Sequence, residues 1–346
     1  MPLDFDLWSL LQQHRQSRRQ KEKYSLELSE EELQQGQERF ACFLGSLEMG
    51  RVWVEGPVAV VSLRKISGEP LPDPWLSASE ALRRDVLEVQ EAKRASVPVL
   101  EMENRDPEHY VLVPSGQVFP GGMQTRGVAE EVALAPRQKA EVPVYCVERR
   151  RWGGSRKFSP DKKTYRSPAR VHRAIAHKLS QGALWETVHL MHAMLQTHSP
   201  SESLADLYEE VNPKIEQHRL WRAISRQLEP DACGVLLFYA QELKLAEAFA
   251  EPSLAREQLL EQLRCFLIDV MLEQHARTSP PPSLEEAEVQ QQARRVLQHL
   301  QAGPWTPYRR LGAGQLWTLQ TPQCGGQALC CKQQVIHFLA VPSLTA

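Results

Sequence analysis

The chain has 346 residues, of which 42% are hydrophobic and 24% charged, so it can bury a large core as one domain or two. Its formal net charge of −2 excludes a global electrostatic attraction to nucleic acid or anionic membranes. The sequence lacks the run of about 18 apolar residues that a membrane span needs, and its acidic N-terminus is unlike a secretory signal. We therefore expect a cytoplasmic protein without membrane contact.

Cysteine and histidine spacing argues against metal binding. The seven cysteines are irregularly spaced and stand mostly in apolar runs, which favours reduced, packed thiols over disulfides or a zinc site. His189 and His192 lie near Glu186, but their spacing differs from that of the His-Glu-x-x-His hydrolases and no third ligand is visible. The sequence predicts no metal and no other cofactor.

Residues 1–50 are predicted to be an N-terminal extension. Apolar residues at the start are followed by a basic segment, and Ser29 with Glu32 is typical of a helix N-terminus. The pattern predicts one helix, from about residue 30 to about residue 47. The basic segment is either a phosphate contact or a solvated linker, and the whole extension could bind a protein partner.

Residues 51–344 are predicted to form a single α+β domain. Short β-branched runs separated by Pro, Gly, Asn and Asp fill 51–152 and indicate a sandwich-like or barrel-like sheet, interrupted by a short helix at 77–82. Residues 153–302 are mainly helical with a hairpin near 233–246, and 303–344 return to strands. We expect a β-rich N-terminal half packed with a helix-rich C-terminal half and a terminal β meander.

Two serine-containing segments predict helix starts in the helical half. Ser199-Pro200-Ser201-Glu202 combines a capping residue, a first-turn proline and a third-position glutamate, which makes it the clearest local signal in the chain. Ser283 and Glu286 repeat the capping signature before the helix that ends near residue 300. We expect one helix to begin at each segment.

Two adjacent glycines at 121–122 precede Gln124 and Arg126. Glycines permit close approach of a ligand, and the amide and guanidinium stand at strand spacing on one face. These side chains either bind a ligand or pack against neighbouring carbonyl groups.

An apolar strand at 142–147 ends in a carboxylate. Period-two spacing places Val144, Cys146 and Glu148 on one face, so Glu148 must reach water or pair with a cation. Its possible partners are Arg126, Arg149, Arg151 and Arg166. Cys146 is either a small buried hydrophobe or a thiol nucleophile beside an acid–base residue.

The connection at 149–170 carries nine Lys or Arg residues and a single acid, Asp161. Aromatic residues between the cations, including Trp152, would permit stacking on rings or bases, as in phosphate-bearing ligands or single-stranded nucleic acid. The alternative is a connection that docks on acidic residues of the protein itself.

Four blocks of sequence, at 75–82, 97–105, 121–126 and 142–152, together resemble the "ARG and rhodanese-phosphatase-superfamily-associated protein" domain family. The similarity covers about residues 52–344, and its most specific block contains Cys146-Val147-Glu148 and Arg151-Trp152. The family pattern has Gln-Asn-Arg where this chain has Gln124-Thr125-Arg126. Because the family is associated with ADP-ribosylglycohydrolases and rhodanese-like phosphatases, the resemblance implies a role in handling ADP-ribose or NAD-derived groups.

Two functions of different class therefore remain open. In the first, the protein binds or processes a phosphate-bearing ligand such as ADP-ribose or an NAD-like molecule. Arg126 and Arg151 would then clamp phosphate and Glu148 would act as the acid–base residue. The remaining ligand contacts would be Asn104 and Gln124, which orient the ligand, Trp152, which stacks, and His337.

In the second function, these residues belong to a non-catalytic interaction module and only hold the β region together. Convergence on one concave pocket would favour ligand binding, whereas mutual hydrogen bonds without a cavity would favour the module. His337 is then a satisfied core histidine. Nucleic-acid binding through 149–170 is the weaker third reading, and the sequence does not decide whether the protein is an enzyme.

Overall fold

The computed structural model describes residues 28–92 and 98–343, so the predictions for residues 1–27 lie outside it. The described residues form eight helices and 17 strands, and the α+β class is confirmed. None of these helices has the length and apolar character to cross a bilayer.

The elements are numbered in chain order. The strands are β1 (Leu47–Glu55), β2 (Val58–Lys65), β3 (Trp75–Ser77), β4 (Leu87–Glu91), β5 (Val99–Asn104), β6 (Tyr110–Val113), β7 (Gln117–Phe119), β8 (Arg126–Val128), β9 (Val132–Leu134), β10 (Lys139–Cys146), β11 (Tyr165–Arg166), β12 (Ala232–Tyr239), β13 (Glu242–Phe249), β14 (Thr306–Leu311), β15 (Gly314–Gln320), β16 (Cys324–Cys331) and β17 (Gln334–Pro342). The helices are α1 (Glu30–Gly45), α2 (Ala78–Arg83), α3 (Ala169–Ala176), α4 (Gln181–Leu195), α5 (Leu204–Gln217), α6 (Arg219–Gln227), α7 (Pro252–Ala276) and α8 (Glu286–Gln301).

The largest sheet draws its strands from both ends of the chain. Its antiparallel order is β1-β2-β12-β13-β17-β16-β15-β14. The hairpin β12–β13 lies between the N-terminal and C-terminal strands, and every residue of β12 is buried, as expected for a central strand covered on both faces. The first two strands, the hairpin and the terminal meander therefore form one sheet.

A six-stranded sheet, in the order β11-β7-β8-β10-β5-β4, and a three-stranded sheet, β3-β6-β9, complete the fold. Strand β10 pairs with β5 through its first part and with β8 through Val144 to Cys146. The change of partner follows Pro143, which has no N–H to donate to a neighbouring strand. The last residues of β10 therefore have a side free for other contacts.

Helices cover these sheets where their sequences present apolar faces. Helix α1 starts with a capping box between Ser29 and Glu32, and Phe40 on its buried face stacks on Trp305 with ring centroids 4.8 Å apart. Helix α7 is buried through most of its length and packs on β12. Both helices therefore belong to the same core as the C-terminal strands.

The two helices predicted from serine-containing segments are present, but neither is capped by the serine that the pattern indicates. Helix α5 begins at Leu204 and Ser203 caps it, because the Ser199 hydroxyl instead accepts a hydrogen bond from Ser203 N at 2.9 Å and closes a turn. Glu202 in this turn is left-handed, with φ 53°. Helix α8 begins at Glu286 without a side-chain cap. A local capping signature does not exclude competing bonds within a turn.

Candidate functional site

The carboxylate of Glu148 is bound by three N–H groups just beyond the end of β10. Thr125 N and the Nε and Nη2 atoms of Arg151 all donate to it at 2.7 Å. Arg151 also donates to the carbonyl oxygens of Gly121 at 3.0 Å and of Gly122 and Gly153 at 2.8 Å. These five hydrogen bonds match the five N–H groups of a guanidinium, so no donor is left for a ligand.

Glycine is required where this loop closes. Gly122 has φ 57°, and a Cβ atom there would lie 2.3 Å from the ring of Phe158. The positive φ and above all the lack of room for a Cβ atom favour glycine here, where the carbonyl group of Gly122 accepts a hydrogen bond from Arg151. The two glycines thus present their carbonyl oxygens to Arg151 of the same protein.

Hydrogen bonds determine the charge of Glu148. Burial alone would raise its pKa, but bonds from Arg151, Ser201 and Thr125 lower the pKa below its ordinary value. At neutral pH the carboxylate is ionised and committed to its partners, which makes it a weak base.

A second group of bonds surrounds Arg126, which is only 1% exposed. Its Nη2 atom pairs with Glu91 Oε2 at 3.1 Å and its Nη1 atom donates to the Sγ atom of Cys146. Cys146 donates to Gln124 Oε1 at 3.1 Å, and Gln124 Nε2 donates to the Glu148 carbonyl oxygen at 3.0 Å. These side chains, with Thr125, Glu148 and Arg151, form one continuous set that we call the β10 network.

Burial raises the pKa of Cys146 to about 11, because the gain from the nearby Arg126 guanidinium is smaller than the cost of desolvating a thiolate. The thiol is therefore protonated at neutral pH and hydrogen-bonded on both sides. A nucleophilic role needs the thiolate, so the geometry favours the structural interpretation of Cys146.

Trp152 differs from the β10 network in being 52% exposed. Its indole covers the guanidinium of Arg126, whose Cζ atom lies 5.6 Å from the ring centroid. The structure thus brings together five of the residues predicted from sequence, namely Gln124, Arg126, Glu148, Arg151 and Trp152.

Asn104 lies apart from this group. Its Nδ2 atom donates to the carbonyl oxygens of His109, Leu134 and Ala135 at 2.8, 3.1 and 2.9 Å. Three backbone acceptors around one amide hold together the turn after β5.

His337 lies in a separate buried centre at the junction of the three sheets. On β17, its Nδ1 atom bonds Glu131 and its Nε2 atom lies 2.9 Å from Glu247 Oε1 on β13. Arg166 of β11 pairs with Glu247, and Glu131 directly precedes β9. These four side chains are fully buried, so they connect the sheets through charge.

His337 and Glu247 stabilise each other's charged form in this buried centre. Burial would lower the pKa of His337, but Glu131 and Glu247 raise it above its ordinary value. Burial would likewise raise the pKa of Glu247, but Arg166 and His337 lower it.

A half-open cleft of about 970 Å³ lies beside β10. One wall is residues 143–145 of β10, another is the connection from α3 to the first turn of α4, and the third comes from β14, β15 and β16. None of the seven residues predicted from sequence is among the residues that line it. The cleft and the β10 network nevertheless share strand β10.

Gln181 at the start of α4 connects the cleft with the β10 network. Its Oε1 atom accepts from Cys146 N at 3.0 Å and its Nε2 atom donates to Cys146 O at 2.7 Å, as a neighbouring strand would. The side chain thus fixes the first turn of α4, which lines the cleft, to the end of β10.

The cleft is lined by an ion pair and by a lysine. Glu130 pairs with Arg309 of β14, and burial raises the pKa of Glu130 although Arg309 opposes the shift. The Lys178 ammonium lies 5.3 Å from the ring centroid of Tyr308, and it forms no ion pair within 28–92 and 98–343. The adjacent residues Glu130 and Glu131 thus lie in different sites: Glu130 lines the cleft and Glu131 belongs to the buried centre.

A sequence model of the ARG and Rhodanese-Phosphatase-superfamily-associated Protein domain matches residues 46–341. The chain belongs to this family. No curated protein and no solved structure matches the chain significantly. The family domain begins directly after α1 and includes the β10 network, the buried centre and the cleft. The resemblance seen in the sequence is therefore confirmed.

Within the family domain, the basic connection at 149–170 docks largely on acidic side chains. Lys157 pairs with Glu88, Lys163 lies 3.0 Å from Glu261, and Arg170 Nε lies 2.8 Å from Asp269. Among the described residues no group of His, Cys, Asp and Glu has the arrangement of a metal site.

Sequence reasoning missed the residues of the cleft. Lys178 and Gln181 stand in an unremarkable connection, while Tyr308 and Arg309 belong to β14, a strand that the sequence pattern does not predict. No local signal connects residue 178 with residue 308, because only the packing of α3 on β16 and β17 of the large sheet brings them together.

Proposed function

We propose that this domain binds a phosphate-bearing small molecule of the ADP-ribose or NAD class in the cleft beside β10. The observation that supports this is the cleft itself. Small-ligand pockets measure about 300–1,000 Å³, and the cleft at about 970 Å³ has room for a dinucleotide-sized ligand. The wider family association with ADP-ribose chemistry agrees with this class of ligand.

The phosphate end of the ligand would lie at the α3–α4 connection. Lys178 supplies an ammonium group there, and α4 begins three residues later. The first N–H groups of a helix have no partners within the helix and carry partial positive charge, which favours anions. Ser180 caps only one of them, the N–H of Ala183 at 3.2 Å.

The cleft lining also offers neutral groups that suit a ribose or a base. Tyr308 supplies a ring beside Lys178, and Gln320, Gln327 and Thr318 supply amides and a hydroxyl group. A nucleotide requires both a cation for its phosphate and such neutral hydrogen-bonding groups.

In this proposal the β10 network positions the cleft. Arg151 makes five bonds within the protein, and Arg126 is buried against Glu91 and Cys146. A direct phosphate contact by either guanidinium would require these bonds to break. The direct ligand-binding role of Asn104, Gln124, Arg126, Arg151, Trp152 and His337, with Glu148 as the catalytic residue, stays a prediction.

If the ligand is processed, Glu130 is better placed for acid–base chemistry than Glu148. It lines the cleft, and burial raises its pKa, which favours the protonated carboxyl group that a general acid needs. Its pairing with Arg309 is the alternative, structural reason for its position.

The test is calorimetric titration and thermal unfolding of the full chain with ADP-ribose, NAD and AMP. A ligand at a hundred times its Kd stabilises the native state by about 2.7 kcal/mol, which raises the melting temperature measurably. We expect Lys178→Gln to weaken ADP-ribose binding by about tenfold, corresponding to about 1.4 kcal/mol. The matched control Lys214→Gln changes an exposed lysine on α5 and should leave affinity unchanged.

Two outcomes would contradict the proposal. Absence of binding to all three ligands would reject the ligand class. Binding that is lost in Arg126→Lys at unchanged stability, but retained in Lys178→Gln, would move the site to the β10 network and restore the sequence-based assignment.

A further inference from the structure

A second surface begins where the β10 network ends. It consists of Arg149, Arg150, Trp152, His189 and Leu190, and we call it the Arg149–Trp152 surface. The side chains of Arg149 and Arg150 are 48% and 63% exposed, and Trp152 and Leu190 are among the few large hydrophobic side chains of the described structure that are exposed. Tryptophan and arginine are both enriched in the cores of protein–protein interfaces.

Positive charge exceeds negative charge on this surface. Glu202 is the carboxylate at its centre, and Arg150 Nη2 lies 2.6 Å from its Oε1 atom. Arg149 Nη1 lies 3.8 Å from Oε2, which is longer than a hydrogen bond, and His189 Nδ1 lies 3.5 Å from Oε1. One carboxylate therefore faces two guanidinium groups, and about half of the Arg149 side chain is exposed.

The backbone beneath these side chains is already ordered. Both Arg149 N and Arg150 N donate to the carbonyl oxygen of Ser201, at 3.1 and 3.0 Å, and Glu148 forms a β-bridge with Ser203. The turn at 199–202 thus holds the two arginines and Glu202 together. A preorganised surface loses less entropy when it binds a partner.

We propose that the Arg149–Trp152 surface docks an acidic segment of a partner protein. Carboxylates of the partner pair with Arg149 and Arg150, and an apolar side chain beside them packs on the indole of Trp152. Arginine and tryptophan are the residues that most often dominate binding energy in protein interfaces. The surplus positive charge identifies the partner segment as acidic.

The same observations disfavour nucleic acid as the occupant. A strand of nucleic acid needs a row of cations along its phosphates. Three further cations of the connection, at 157, 163 and 170, are paired with carboxylates of the protein.

The probe is a fluorescein-labelled peptide in which glutamate pairs alternate with leucine, titrated with the full chain in a fluorescence anisotropy experiment. We expect Arg149→Gln with Arg150→Gln to weaken binding by at least about tenfold. The matched control, Arg219→Gln with Arg226→Gln on α6, removes the same charge from two exposed arginines and should bind as the wild type does. Trp152→Ala should weaken binding, and Trp152→Phe should restore part of it.

Glu202→Gln provides an independent variant, because it removes the carboxylate that competes with the peptide. It is expected to bind the acidic peptide more tightly than the wild type does. A peptide with glutamine in place of glutamate should not bind.

Three results would overturn the proposal. The first is failure of the acidic peptide to bind, and the second is an equal loss of affinity in both double-arginine variants, which would indicate attraction to overall charge. The third is tighter binding of oligothymidylate than of the peptide, with loss in the Arg149 and Arg150 variant, which would assign the surface to nucleic acid. Melting curves of each variant distinguish these results from unfolding.

Discussion

Arg150 and Arg151 are neighbours in the chain, but they belong to regions with opposite properties. Arg151 donates all five N–H groups to Glu148 and three backbone carbonyl groups. Arg150, in contrast, is 63% exposed and contacts one carboxylate. The difference comes from the glycine-containing loop that surrounds Arg151 with carbonyl oxygens. A guanidinium enclosed by such acceptors stabilises the fold, and one at the surface remains available to a partner.

The cleft gives a second contrast with the β10 network. The network contains most of the residues that the sequence suggested for a ligand site, but its donors and acceptors satisfy one another. The cleft contains a lysine without an ion pair in the described residues and a helix N-terminus beside open volume. Function is therefore better sought where polar groups remain unsatisfied than where they are most concentrated.

The largest expected effect is in the buried centre, whose four charged side chains are fully buried, unlike those of the β10 network. Arg166→Met would leave Glu247 buried without its guanidinium and is expected to cost about 3–5 kcal/mol of unfolding free energy. Urea unfolding measures this cost. The control is Arg83→Met, which removes an exposed ion pair with Glu257 and should cost less than about 1 kcal/mol. Similar costs for the two variants would contradict a charge-based junction between the sheets.

A smaller loss of unfolding free energy is expected from a substitution in the β10 network. Arg151→Gln would remove both bonds to Glu148 and leave that carboxylate with fewer partners, at a cost of about 2–3 kcal/mol. The cost is below that of Arg166→Met because a third of the Arg151 side chain is exposed, so water can replace part of what is lost. Arg150→Gln is the adjacent comparison in the same urea experiment and should change stability little. A larger loss in Arg150→Gln than in Arg151→Gln would reverse our assignment of the two regions.

The smallest expected effect is a pH dependence from His337. Because the folded-state pKa of His337 lies above its ordinary value of 6.5, its stabilising contribution is complete below pH 6.5 and is lost as the pH rises through the folded pKa. The stability of the wild type relative to His337→Gln should therefore fall as the pH rises from 6.5. The slope cannot exceed about 1.4 kcal/mol per pH unit for one proton. Urea unfolding measures this difference, and contributions from cysteine ionisation cancel because both proteins contain the same cysteines. A difference that grows with rising pH would show that His337 is neutral in the folded protein.

Sequence patterns predicted several elements because their causes are local. The capping box of Ser29 and Glu32 begins α1, and the almost continuous apolar surface of α7 indicates a buried helix. The β12–β13 hairpin lies where its two apolar runs predict it. These features depend on residues within a few positions of one another, which a single sequence displays directly.

The turn at 199–202 shows where local reasoning ends. Its capping pattern is genuine, but the Ser199 hydroxyl binds Ser203 N and donates to Asp206, so the helix starts after the turn. Glu202 consequently faces Arg149 and Arg150. The competing bonds involve geometry that residue types alone do not specify.

By itself, the sequence determined the family, the α+β class and the position of a group of polar residues around Glu148. Composition, periodicity and motif spacing suffice for this, because they are properties of one chain read in order. Only the tertiary structure decided that these polar residues form a saturated network, that three sheets meet at His337, and that Lys178 and Tyr308 are neighbours in the lining of a cleft. The reason is physical. Whether a charged side chain is available depends on the backbone carbonyls and carboxylates brought to it from distant positions, and those distances are set when the sheets pack.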